Sequence, residues 1–101
     1  MSNSVRARVQ FRDDTVTVRM IIRHAMEVGG KRADGRYVAA HFITELMCHH
    51  NSEPVLRAYW GPGIAKDPYL SFTIRPAKSG DELHVRWVDN QGMSDEFTMR
   101  F

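Results

Sequence analysis

The residues best suited to chemistry lie in "LMCHH", Leu46 to His50, where the chain's single cysteine is followed by two of its five histidines. A thiol beside an imidazole suggests a nucleophile activated by its base, or a soft metal site. The first needs thiolate and base within hydrogen-bond reach. The surrounding segment reads as a β-strand, on which successive side chains point to opposite faces, so Cys48 and His49 diverge. His50 shares the face of Cys48 but stands roughly 6.5–7 Å further along the strand, too far for direct proton transfer. No glycine-rich elbow adjoins them. The residues alone therefore favour a structural, half-buried Cys48, because free cysteine is among the most buried residue types.

A metal site needs three or four converging ligands. His24, Met26, His41, Cys48, His49 and His50 offer thioether, thiolate and imidazole, a set that suits copper(I) or zinc, and a free-standing metal or redox protein built on Cys48 and the histidines is the rival reading. No spacing among them is diagnostic. His41 and His49 are separated by roughly 26 Å on one extended strand, so they share no ion unless the strand bends. No cofactor is expected. The carboxylate pairs Asp13-Asp14, Asp81-Glu82 and Asp95-Glu96 fall at turns or strand ends, where solvated charge belongs. "GGKRADG" lacks the spacing and the strand-to-helix context of a phosphate-binding loop.

The elements that must position these residues alternate with period two. Val5, Ala7, Val9 and Phe11 interleave with Arg6, Arg8 and Gln10; Val16, Val18, Met20 and Ile22 repeat the pattern after Asp13-Asp14. A third strand puts Phe42, Thr44, Leu46 and Cys48 on one face and Ile43, Glu45 and Met47 on the other. "NSEP" turns the chain into "VLRAYW". Leu70, Phe72 and Ile74, then Leu83, Val85 and Trp87, then Phe97, Met99 and Phe101 mark three more strands. Seven short antiparallel strands in one domain, residues 1–101, predict an all-β, immunoglobulin-like β-sandwich. Two long connections, "HAMEVGGKRADGRY" and the proline-stiffened "GPGIAKDPY", are its candidate binding loops.

Bulk properties narrow the partners. The chain has 101 residues, 43% of them hydrophobic and 26% charged, as in an ordinary globular domain. Its formal charge of +2 and pI near 9.0 read as a small imbalance and not a basic stripe, which argues against nucleic acid. Nothing has the length and apolarity of a signal peptide or a membrane span, so the residues alone predict neither export nor a membrane partner.

At the two loops the sequence resembles a known family. "IRHAMEVG" resembles the I-x-H-P-M-E-T-G segment of SoxZ proteins, and "DPYLSF" is similar to their N-P-Y-L-S-F. "FITELMCHHNSEPVLRA" resembles a family strand pair, and "SGDELHVRWVDNQG" their S-G-x-L-x-x-x-W-x-D-x-x-G ending. The matches are colinear from about Ile22 to Gly92. Ala25 stands in place of the usual proline and Val28 in place of threonine.

The resemblance implies a non-catalytic subunit that pairs with SoxY as the SoxYZ carrier of periplasmic thiosulfate oxidation. In that family sulfur intermediates ride on a cysteine in a Gly-Gly-Cys-Gly-Gly arm of SoxY, which the heterodimer presents to cytochrome, hydrolase and dehydrogenase components. The ending "EFTMRF" carries no such arm, as the resemblance expects of the SoxZ-type subunit. It also implies export together with the partner, contrary to the reading from residues alone. His24, Met26, Glu27, Gly29, Asp67, Pro68 and Tyr69 become the candidate partner or docking surface. Against this stand structural roles: His24 capping a strand end, Met26 filling a core gap, Tyr69 packing under its loop.

Overall fold

The computed structural model of the chain describes residues 4–101; the first three residues of the N-terminal segment lie outside them. Among the described residues there are nine strands and no helix: β1 (Val5–Arg12), β2 (Thr15–Ile22), β3 (Gly30–Lys31), β4 (Tyr37–Val38), β5 (Ile43–His50), β6 (Glu53–Tyr59), β7 (Tyr69–Ile74), β8 (Glu82–Asp89) and β9 (Ser94–Arg100). The seven longer strands are those the alternation predicts. The two short ones form a ribbon inside the first long connection.

The strands assemble into two antiparallel sheets, β1-β2-β7 and β6-β5-β8-β9. Alternation drives the layering: the apolar members of each strand face inward, and two such faces must cover each other. Val16, Val18, Met20 and Ile22 of β2 meet Leu46 and Cys48 of β5 and Leu83, Val85 and Trp87 of β8 in one core. Full burial of an aliphatic side chain contributes roughly 1.5–3 kcal/mol, so these central strands supply most of the cohesion.

Turn chemistry fixes the register. His50 faces Glu53 across a two-residue loop, and Asn51 and Ser52 both take positive φ, 48° and 70°. That geometry has the twist a tight hairpin requires. It keeps β6 on the sheet of β5. The Asp89–Met93 turn closes through Asp89 N–H to the Met93 carbonyl at 2.9 Å, with Gly92 at φ 81°.

Two expectations need correction. The pairing of β5 with β8 shifts register between Ile43 and Glu45, so that Thr44 is an extra residue, a bulge that re-aims its neighbours. Ile43 is therefore fully buried beside Leu46 and Cys48, whereas strict alternation puts it on the opposite face. Charge is the second case. Arg6, Arg8 and Arg12 of β1 and Arg19 of β2 are all exposed on the outer face of one sheet, and Arg8 is directly opposite Arg19. A basic stripe does exist. The near-neutral total hides it because the carboxylates are elsewhere.

Candidate docking surface and its histidine–aspartate clamp

The two candidate loops meet at one end of the sandwich because backbone and side chain tie them together. Ile22 N–H donates to the Pro68 carbonyl at 3.0 Å, and Asp67 N–H to the His24 carbonyl at 3.0 Å. In return the Asp67 carboxylate accepts from His24 N–H at 3.0 Å. Both Met26 and Asp67 sit at positive φ, 49° and 51°, a conformation that is costly for side chains of this kind and persists only where the surroundings hold it.

Beneath the loops lies a buried carboxylate. Asp89, the last residue of β8, has a fully buried side chain. Its Oδ2 receives His24 Nε2 at 3.0 Å and His41 Nε2 at 2.8 Å. Its Oδ1 accepts the N–H groups of Gln91 and Met93, each at 2.9 Å. A carboxylate removed from water needs such partners, since an unpaired one is strongly unfavourable. Burial alone raises the Asp89 carboxyl, but the bonds from His24, Met93, His41 and Gln91 outweigh it and hold the group below its ordinary value of 3.8.

The His24 ring is fixed on every side. Met26 N–H donates to its Nδ1 at 3.0 Å, which makes that nitrogen the acceptor and places the proton on Nε2, facing Asp89. Trp87 stands edge-on to the ring at 5.2 Å and His41 at 4.5 Å. Met26, nearly fully buried, accepts Ile43 N–H on its sulfur at 3.4 Å. His41 and Glu27 exchange backbone hydrogen bonds of 2.6 and 2.9 Å, and Arg32 pairs with the Glu27 carboxylate at 2.6 Å. Gly29 passes so close to Ala40 that an added Cβ would lie 2.9 Å from its backbone nitrogen. The cluster thus joins both loops, β5 and β8.

His24, His41 and Asp89 each offer a ligand atom within 4.8 Å of the others, the only such trio among the described residues. Its hydrogen-bond roles do not suit a cation. A metal needs a lone pair on His24 Nε2, yet the Met26 N–H bond to Nδ1 commits that nitrogen's proton to Nε2. The trio is a clamp made of donors around one anion. A cleft of about 590 Å³ opens over it, lined by both histidines and Asp89, by the cations Arg23 and Lys66, and by Met93. Its walls carry no hydroxyl or thiol.

Cys48 belongs to neither the clamp nor the cleft. It is fully buried between Leu56 of β6 and Val85 of β8, deeper than the half-burial expected. Burial pushes its thiol up to about 12, so the thiolate that nucleophilic or metal chemistry requires is strongly disfavoured. His49 faces His84 on the outer side of the sheet. His50 pairs with Asp81 at 2.8 Å and stacks on Phe101. The three neighbours of "LMCHH" are separate structural pieces.

The seven surface candidates divide accordingly. His24, Met26 and Pro68 are buried and act from below. Glu27 and Gly29 are partly covered, and Asp67 is exposed with its carboxylate turned to His24. Tyr69 does not pack under its loop: it is 60% exposed, because its parity on β7 points it outward. His41 and Asp89, the other members of the clamp, were not among the seven. A signal for Asp89 existed, since the inward series Leu83, Val85, Trp87 continues to it and so places a carboxylate on the core side.

None of the curated proteins compared with the chain matches it. The family model described as "Sulphur oxidation protein SoxZ" matches residues 5–100, from the first residue of β1 to the last of β9. Three of the segments that carry the resemblance, "IRHAMEVG", "DPYLSF" and "WVDNQG", supply His24, Asp67 and Asp89 to this cluster, while His41 comes from outside them. The chain belongs to the SoxZ family of sulfur oxidation proteins.

Proposed function

We propose that the chain is the non-catalytic subunit of a SoxYZ-type sulfur carrier heterodimer, working in the periplasm. On this reading its partner bears the cysteine arm on which sulfur intermediates travel. The chain's own task is to bind that partner and hold it so that the arm projects toward the pathway's cytochrome, hydrolase and dehydrogenase. The observation that carries the reading is the family match over residues 5–100. The chemistry of Cys48 supports it: a fully buried thiol raised to about 12 is a poor carrier of sulfur.

The clamp has a natural part in this. An interface of ordinary size buries about 800 Å² on each partner and gains affinity when its surface is rigid before contact. His24, His41 and Asp89 hold the two loops in one conformation, and Tyr69, 60% exposed, offers the aromatic area that interfaces favour. Co-expression with the SoxY-type subunit tests the partnership. A stable one-to-one complex that survives size exclusion supports it; separate elution overturns it.

A further inference from the structure

The outer face of the β1-β2-β7 sheet carries cations with no acids among them. Its cross-strand rows are Arg6–Ile21–Tyr69, Arg8–Arg19–Ser71 and Gln10–Thr17–Thr73, followed by Arg12–Thr15. Arg23 continues the series past the end of β2 and is exposed. No outward position on these three strands holds Asp or Glu. Carboxylates occur only at the rims, where Asp14 pairs with Arg75 at 3.5 Å and Asp67 turns to His24.

The contrast is with the other six arginines. Of those six, Arg32, Arg36, Arg57, Arg75 and Arg100 each form an ion pair with an acid, and Arg86, which forms none, stands directly opposite Glu96. Among the described residues Arg6, Arg8, Arg12, Arg19 and Arg23 form none within 4.0 Å; the single side-chain partner of the group is Gln10, which accepts from Arg19 at 3.4 Å. Arg8 and Arg19 lie directly opposite, a like-charge pairing that destabilises a sheet. The outer face of the other sheet mixes signs instead, with Glu45, Glu96, Arg57 and Arg86. Folding alone gives no reason for an uncompensated arginine field on one face.

We infer that this face is where an acidic protein surface docks, in a brief encounter steered by charge. Resting on the carrier reading above, the occupant is an enzyme of the sulfur oxidation system that visits the heterodimer. Size fits such a visit. Eight-residue strands span about 27 Å and three strands with their side chains about 15 Å, roughly half the area a stable complex buries per partner. Ile21, 46% exposed, and Tyr69, 60% exposed, end the field with an apolar contact that would orient the encounter. They also favour a protein over nucleic acid: the face is the outer side of a sheet with one aromatic residue at its outward positions, so it has neither a helix to enter a groove nor a stacking platform.

The test uses the intact heterodimer. Its association with each purified enzyme of the system is followed by surface plasmon resonance at low and high salt. Arg8→Glu with Arg19→Glu is compared with a control of equal charge change, Arg36→Glu with Arg100→Glu, and with the milder Arg8→Gln with Arg19→Gln. The expected result is an association rate for the most acidic enzyme at least tenfold lower in the face variant at low ionic strength. The gap should close as salt screens it, the control should change less than threefold, and the Gln variant should fall between. Equal effects of face and control variants would overturn the inference. So would loss of the heterodimer itself in the face variants, which would make the face the permanent interface while leaving the carrier reading intact. Tighter binding of the heterodimer to a DNA duplex or to anionic vesicles than to any enzyme would overturn it as well.

Discussion

Replacing Asp89 by Asn keeps the volume of the side chain and removes one oxygen's charge and acceptor capacity. In the clamp, Oδ1 accepts two backbone N–H groups, and an amide oxygen placed there preserves both bonds. The new NH₂ group then occupies the Oδ2 position, facing Nε2 of His24 and Nε2 of His41 at 3.0 and 2.8 Å. His24 has no second tautomer to offer, because Met26 N–H occupies its Nδ1. The His24 hydrogen bond to a charged acceptor is lost, worth about 1.5–3 kcal/mol, and its buried donor is left facing a donor at a further cost of about 1–3 kcal/mol. The expected cost is therefore about 3–5 kcal/mol.

For a domain of this size each kcal/mol shifts Tm by about 4–8 °C, so circular dichroism melting at neutral pH should show a drop of at least about 12 °C. Asp89 is held below its ordinary 3.8 in the folded state. The carboxylate's stabilisation is therefore present above the unfolded value and lost as pH falls through the folded one. The gap between wild type and Asp89→Asn should accordingly narrow in acid. A drop under about 4 °C, or a gap that widens in acid, would refute the clamp.

Three further outcomes follow from other parts of the fold. Gly29→Ala should destabilise by clearly more than Gly35→Ala: both glycines have positive φ, but only at Gly29 would the Cβ strike the backbone of Ala40, so about 1 kcal/mol of backbone strain is joined by a clash; urea melts of the two variants measure the difference. Cys48 should resist thiol reagents until the protein unfolds, and its raised pKa implies stability that is full below about 9 and lost toward about 12. Wild type should thus lose about 1.4 kcal/mol per pH unit in that window relative to Cys48→Ala, as followed by urea melts of both proteins. Arg8→Glu should raise stability by up to about 1 kcal/mol, since it replaces a like-charge pair with an opposite one; a fall in Tm would contradict the register argument.

Period-two alternation made the sandwich legible, because a sheet with one covered face has few other ways to arrange its apolar residues. It failed at Ile43, where a bulge admits Thr44 and shifts the parity, a choice made by the partner strand and not by the local sequence. The seven residues put forward for docking share an end of the molecule, and the sequence pairs "IRHAMEVG" with "DPYLSF" only by likeness. That they touch depends on a hydrogen bond between residues 43 positions apart, which no local pattern encodes. Asp89 is legible through parity as the next inward position after Leu83, Val85 and Trp87, but parity says nothing of the two histidines that converge on it. The arginine field was missed for a different reason. Net charge sums over both sheets, whereas a docking partner meets only one.

The most direct test of the central claim is intact-mass spectrometry of the co-expressed heterodimer after loading with a thiosulfate-derived sulfur group. The added mass should appear on the partner subunit, and this chain, 11.6 kDa, should remain unmodified whether residue 48 is Cys or Ala. Sulfur adduct on this chain, abolished by Cys48→Ala, would contradict the central claim.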